Sequence, residues 1–257
     1  MFDFDSAIVR TPGRSVADGL SAAGSKPDPD RLLAEHRAYV AALECAGVTL
    51  ETLPPLEEFP DSIFVEDPAF VLPEGAILLR SCAPTRAGEP AALEPVLRRR
   101  FDRLLELDRG FADGGDILIL PHEILIGLSA RTDREGAERF VALIGELGRK
   151  ARIVAPPEGV LHLKSGCALV DEEVVVAMPA LARADLFRGL RVIAVAEGEN
   201  EAANLVRINK KVLMGADFPR TAERIAELGH DVVLLPVTEI RKIDAGLSCM
   251  SLRWQAG

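Results

Sequence analysis

Cys249 closes the segment Glu239-Ile-Arg-Lys-Ile243-Asp244-Ala-Gly246-Leu-Ser248-Cys249, a charged stretch expected to turn at Gly246 and deliver a thiol into a terminal strand, Ser248 to Trp254. A thiolate is a nucleophile, but it needs an acid/base partner and a group that orients that partner. Taken alone, a cysteine is more often a small buried hydrophobe. The other thiols lack the setting, with Cys45 at a helix end, Cys167 at a strand start and Cys82 in a loop. Of the four histidines, His36 falls on a helix face, His122 in a hairpin break and His230 just past a helix stop. His162, in Leu161-His162-Leu-Lys164, lies between apolar residues at the mouth of a hairpin. It is the candidate acid or base, against the alternative of a satisfied core histidine. Asp113-Gly-Gly-Asp116 stands directly before an apolar strand, where two glycines permit close approach and a carboxylate can orient a histidine or hold an amine; a bare turn is the competing reading. Cys249, His162 and Asp113 could therefore supply nucleophile, acid/base and orienting group.

What such a set would act on is suggested by the acidic residues. Asp61, Glu66 and Asp67 flank Ile63-Phe64-Val65 within seven positions, Asp61 to Asp67. A solvated loop and a turn before Pro68 would explain any one of them, but clustered they suit a cation. Arg131 precedes a helix start, as either a surface charge or a carboxylate clamp. The chain has 257 residues and a net charge of -10, with no basic stripe, which argues against nucleic acid or an anionic membrane as partner and favours a cationic small molecule. No stretch approaches the roughly 20 apolar residues of a membrane span. The amino terminus is acidic where a secretory signal is basic, so a soluble cytoplasmic protein is expected. No Cys-x-x-Cys pair suggests zinc or disulfide cycling.

Four stretches share the design of an apolar run, a short polar break and a second apolar run: Ala69 to Leu79, Ile117 to Ile126, Cys167 to Val176 and Leu205 to Met214. Each reads as a hairpin, and they recur roughly every 40 to 50 positions, the spacing of a repeat architecture. Helices fit between them: from Pro29 to the stop at Gly47, from Pro90 with Leu93 and Leu97, from a capping box at Thr132 to Glu135 with Phe140 and Ile144, and from Thr221 to Gly229. The fourth copy has no clear helix between Asp185 and Leu190. A strand follows each: Val48 to Leu53, Arg103 to Leu107, Arg152 to Ala155, Arg191 to Val195 and Asp231 to Leu235. The unit is hairpin, helix, strand. The first strand, Ala7 to Arg10, and the last have no hairpins of their own and are expected to pair and close a fifth unit. The result is an α/β ring of small sheets with helices outside, all in one domain over residues 1–257.

Phe59-Pro-Asp61-Ser-Ile-Phe-Val-Glu66-Asp67, Asp113-Gly-Gly-Asp116, Ser129-Ala-Arg131-Thr132, Leu161-His162-Leu-Lys164 and Glu239 through Cys249 together resemble, in matching order, the dimethylarginine dimethylaminohydrolases of the guanidine-modifying superfamily. The resemblance runs from Arg10 to the carboxyl end and implies the pentein fold, a five-bladed pseudosymmetric α/β propeller. It implies hydrolysis of N-omega-methylated arginine to citrulline and a methylamine through a covalent thiouronium on Cys249. His162 would be the acid/base and Asp113 its orienting carboxylate, one methylene shorter than the Glu of some members. Glu66 and Asp67 would meet the guanidinium, Arg86 and Arg131 the substrate carboxylate, and Leu20, Asp61 and Ile243 would line the amino-acid end. No metal and no organic cofactor are implied. A homodimer is compatible with the sequence, which gives no oligomeric state. Two other readings stand beside this one. An arginine deiminase of the same superfamily would usually carry an added helical domain, for which no long insertion is evident. A silent binder of methylated arginine would use the carboxylates without Cys249 and His162.

Overall fold

Apolar runs this continuous must be covered on both faces, and in the computed structural model, which describes residues 2–256, they are. The first unit runs from β1 (Ser6–Arg10) through α1 (Pro29–Cys45) to β2 (Thr49–Leu53). The second is β3 (Ala69–Leu72), β4 (Gly75–Leu78), α2 (Glu89–Arg100) and β5 (Leu104–Glu106). The third is β6 (Ile117–Ile119), β7 (Ile124–Gly127), α3 (Arg134–Glu146) and β8 (Ala151–Val154). The fourth is β9 (Cys167–Leu169), β10 (Val174–Ala177), the single turn α4 (Pro179–Ala182) and β11 (Arg191–Ala194). The fifth is β12 (Val206–Ile208), β13 (Lys211–Gly215), α5 (Pro219–Glu227) and β14 (Asp231–Leu235), after which β15 (Leu252–Trp254) follows.

These strands make five three-stranded sheets of one design, an inner strand antiparallel to a middle strand that is itself parallel to an outer strand. The first sheet is completed by β15, which runs antiparallel to β1 with Leu252 opposite Ile8, while β1 pairs in parallel with β2. The expected pairing of first and last strands is thus present. All five inner strands, β3, β6, β9, β12 and β15, line one cavity of about 140 Å³, so the sheets surround a common axis. Inner and middle strands are nearly all buried, as in Ala69–Leu72 and Val174–Ala177, whereas outer strands such as Ala151–Val154 are half-covered. That gradient explains why the hairpins read as unbroken apolar runs and the outer strands do not.

The core is divided among the seams between sheets. Phe70 of β3 meets Phe140 of α3 edge to face at 5.4 Å between centroids, and Phe101 lies 5.1 Å from Trp254. No helix among the described residues is long and apolar enough to cross a membrane. Local corrections have local causes. Helix α3 is capped by Asp133, whose side chain accepts from the Gly136 amide, because the Thr132 hydroxyl is already committed to Asp116. Helix α5 begins at Pro219, whose fixed φ suits a first turn, two residues before Thr221. The chain reverses at Asp244, left-handed with φ 55°, whereas Gly246 is extended. Gly246 is required for closeness: a Cβ there would lie 2.3 Å from the Asn204 side chain. Cys249 consequently sits on a 3-10 turn, Leu247–Met250, ahead of β15 and not in the strand.

Phe140 is fully buried at the seam between the second and third sheets. Phe140→Ala should cost about 3–5 kcal/mol, read as a lower midpoint in urea unfolding with little change in slope.

Candidate active site

Because the inner strands repeat one orientation, the segments leading into them gather at one end of the ring. Glu66 and Asp67 precede β3, Asp113 to Asp116 precede β6, His162 and Lys164 precede β9, Asn204 precedes β12, and Cys249 precedes β15. Each sheet contributes one such segment. Middle strands run the opposite way, so the segments that leave them return to the same end; these carry Leu20 after β1, Arg86 after β4 and Arg131 after β7.

Asp113 is wholly buried, and its Oδ2 lies 3.4 Å from His162 Nε2, a long contact that matches its short side chain. The glycines after it are dictated by close approach. A Cβ on Gly114 would fall 1.9 Å from the Glu66 carbonyl oxygen, and one on Gly115 would fall 2.8 Å from the His162 ring. The Gly115 amide donates to Asp67 Oδ1 at 3.1 Å. Ligand-capable atoms of Asp67, Asp113 and His162 all lie within 4.8 Å of one another, a spacing suited to a cation of any kind, a guanidinium included. Burial alone would lower the His162 pKa, but the bond to Asp113 and the charges of Asp67 and Asp116 outweigh it and raise the pKa to about 9. His162 is therefore an imidazolium at neutral pH.

Cys249 is buried, with Ser248 Oγ 3.9 Å from its sulfur and its carbonyl accepting from the Glu66 amide at 3.2 Å. Burial, with the negative charges of Asp67 and Glu66, pushes the thiol up to about 12. At neutral pH the site thus holds a protonated thiol on Cys249 and an imidazolium on His162. Glu66 Oε1 accepts from Lys164 Nζ at 2.6 Å and from Arg253 at 3.4 Å. Two buried oxygens, Glu66 Oε2 and Asp113 Oδ1, have no donor among the described residues. Such acceptors are costly to bury and ask for a ligand rich in N–H groups.

The residues expected at the amino-acid end come together in part. Asp61 Oδ1 accepts from the Leu20 amide at 3.0 Å, and a Cβ on the neighbouring Gly19 would lie 3.3 Å from Ile243. Arg131 is half-buried, its backbone held by Ser129 Oγ at 3.0 Å. Arg86 is a different matter. Its guanidinium is buried against Asp67 at 2.5 Å and Glu89 at 2.7 Å, and it also donates to the Asp61 and Phe64 carbonyls. Only one Nη1–H is left without a partner among the described residues. Burial would raise the Asp67 pKa, but Arg86 and His162 hold it below its ordinary value.

Four residues beyond those expected also build the site. Glu89 anchors Arg86, Lys164 and Arg253 share Glu66, and Asn204 Oδ1 accepts from the Ser248 amide at 3.1 Å, holding the turn that carries Cys249. Asn204 could have been found by repeat phase, since it occupies the position ahead of β12 that functional residues occupy ahead of the other inner strands. Glu89, in the first turn of α2, carries no such mark.

The chain matches the family described as arginine deiminase over residues 49–212. It is 39% identical to N(G),N(G)-dimethylarginine dimethylaminohydrolase of Pseudomonas aeruginosa, over 98% of this chain and 100% of that protein. It is 35% identical to the protein of the same name from Streptomyces coelicolor, over 96% of each. Among solved structures it superposes with a TM-score of 0.94, at 39% identity, on a cysteine-to-serine mutant of the Pseudomonas aeruginosa protein complexed with citrulline, covering 98% of this chain and 100% of that one. The N-terminal domain of ArgZ, at 19% identity, shares the fold with a TM-score of 0.86 over 96% of this chain and 97% of that one.

Replacing Asp113 by Asn removes a charge, and with it the charge-assisted bond, that helps hold His162 protonated. The His162 titration, followed by NMR of its ring protons, should then fall from about 9 toward its ordinary value. A midpoint unchanged in Asp113→Asn would take Asp113 out of that role.

Proposed function

The chain belongs to the dimethylarginine dimethylaminohydrolase family of the pentein superfamily, and from that premise we propose that one catalytic unit spanning residues 1–257 hydrolyses N-omega-methylated arginine to citrulline and a methylamine. The observation that carries the reading is the pair of buried, donorless carboxylate oxygens, one on Glu66, whose amide bonds the Cys249 carbonyl, and one on Asp113, the partner of His162. A guanidinium supplies N–H donors and a positive charge at the place where both are lacking. The same charge offsets Asp67 and Glu66, the groups that, after burial, hold the Cys249 proton on. Binding of the cation therefore lowers the thiol pKa, and the proton leaves to solvent as the thiolate forms.

The Cys249 thiolate attacks the central guanidine carbon, and the π pair moves to nitrogen to give a tetrahedral adduct. His162 donates its proton to the methylated nitrogen, the C–N bond breaks, and the amine departs from a cationic S-alkylthiouronium. Neutral His162 then takes a proton from water as the oxygen attacks the same carbon. Collapse of this second adduct breaks the C–S bond and returns the sulfur as thiolate, the hydroxyl proton passes through solvent to the departed amine, and citrulline is released. Asp113 keeps the imidazolium oriented across both proton transfers. Asp67 and Glu66 hold the guanidinium in line with the sulfur, a positional contribution because a delocalised cation is a poor electrophile. Arg131, with the one free N–H of Arg86, receives the substrate carboxylate, while Leu20, Asp61 and Ile243 bound the amino-acid end. An arginine derivative is the small-molecule partner, and a homodimer is compatible with the proposal.

Citrulline release should be seen with asymmetric dimethylarginine and monomethylarginine supplied separately. Turnover of arginine alone would make the protein a deiminase, and binding of dimethylarginine without turnover would make it a binder. Cys249→Ser should lose at least about 10³-fold in kcat while still binding substrate, and full activity in it would remove Cys249 from the mechanism. In kcat/KM against pH, the alkaline limb should fall as pH rises through about 9, where free His162 gives up the proton that the leaving amine needs. In the absence of substrate, alkylation of Cys249 by iodoacetamide should keep rising with pH through 9, with no plateau near neutrality, because burial, Asp67 and Glu66 hold the thiol at about 12.

A further inference from the structure

We infer that Asp116 is a positioning residue that ties the segments carrying Asp113, His162 and Arg131 into one rigid unit, so that the acid/base and the carboxylate clamp are set against each other by a single buried carboxylate. The inference rests on the functional reading above for the roles of those three residues. Asp116 is completely buried, and its side chain bonds Ser129, Thr132 and the Leu163 amide and none of the reacting side chains. Its Oδ1 accepts from the backbone amide of Leu163, the residue after His162, at 2.9 Å. Its Oδ2 accepts from the hydroxyls of Ser129 at 2.6 Å and Thr132 at 2.7 Å, on either side of Arg131.

Both hydroxyls are oriented by further bonds. Ser129 Oγ accepts the amides of Arg131 at 3.0 Å and Thr132 at 3.1 Å, which leaves its proton for Asp116. Thr132 Oγ1 accepts the Asp113 amide at 3.2 Å and likewise turns its proton to Asp116. Burial raises the Asp116 pKa, and against it work the charge of His162 and three donors that converge on the carboxylate, none of which requires it to carry a proton, an arrangement that suits the ionised form. An amide cannot reproduce it. In one orientation the nitrogen of Asn would meet Ser129 Oγ, whose two lone pairs are already taken by backbone amides, and in the other it would face the Leu163 amide, donor against donor. The chain Arg131 to Ser129 to Asp116 to Leu163 would be broken at its centre, and a displacement of about 1 Å at a reacting group can cost 10²-fold in rate.

The test compares full-length wild type, Asp116→Asn, Ser129→Ala and Thr132→Val by thermal melting, by kcat and KM for asymmetric dimethylarginine, and by NMR titration of His162 in the free protein. Besides Asp113 and Asp67, Asp116 is the other carboxylate whose charge acts on His162. Asp116→Asn is expected to stay folded, lose about 10²-fold in kcat, raise KM about tenfold and lower the His162 titration midpoint. Ser129→Ala, which frees only the Arg131 turn, should raise KM with kcat held within about threefold. A lower melting temperature for Asp116→Asn with unchanged KM and unchanged His162 titration would overturn the proposal, leaving Asp116 as a fold-holding residue only. Should Asp116→Asn fail to fold, Ser129→Ala and Thr132→Val decide the matter. Thr132→Val, which also frees the Asp113 amide, must then lower kcat more than Ser129→Ala does, and equal effects of the two on kcat and KM would overturn it. If wild type itself leaves dimethylarginine unchanged, the functional reading fails, and the titration in the free protein still decides whether Asp116 sets His162.

Discussion

Everything at the active end of the ring depends on keeping carboxylates buried. Asp61, Glu66, Asp67, Glu89, Asp113 and Asp116 are all withdrawn from water within a short span of segments. Desolvated charges of one sign are tolerable only when each is paired or richly hydrogen-bonded. The molecule meets that demand unevenly. Arg86 answers Asp67 and Glu89, Lys164 and Arg253 answer Glu66, and hydroxyls and amides answer Asp116. The shortfall is concentrated beside the sulfur and the imidazole, where two oxygens go unanswered. A region otherwise close to neutral is thereby left with a local excess of negative potential, and a cation bound there completes the set of charges.

That unevenness also clarifies Arg86. A resemblance to a family places it at the substrate carboxylate, and residue type alone cannot say how its donors are divided. The geometry gives most of them to Asp67 and Glu89, so its first effect is to hold Asp67 ionised and in place. The sequence carried no sign of Glu89, because a glutamate in the first turn of a helix is also what the helix dipole favours at any surface position.

The ring itself was largely legible. Unbroken apolar runs with polar breaks marked β3 with β4, β6 with β7, β9 with β10 and β12 with β13, because buried strands cannot alternate polar and apolar residues. Turn chemistry was harder to read. Gly246 invited the assignment of a reversal that Asp244 makes, since a glycine signals both positive φ and close approach and the sequence does not say which. Thr132 invited a helix cap and instead serves Asp116, a partner brought to it by tertiary packing. Of the candidate site, Cys249, His162 and the acidic residues stood out by type and position, but their mutual geometry depends on which segments lead into neighbouring inner strands, and that follows only once the ring is closed.

The closure has a consequence for the order in which the site can come into being. The strand nearest the amino end waits for a partner from the opposite end of the chain, since β1 takes β15 as its antiparallel neighbour. The carboxylates, the imidazole, Arg86, Arg131 and Lys164 belong to segments that precede Cys249 in the chain. During synthesis the thiol is therefore the last of these groups to emerge, and it reaches its place only as the final strand locks the ring. A chain that has not yet delivered its last strand lacks the sulfur at the site, so its display there is coupled to closure of the ring.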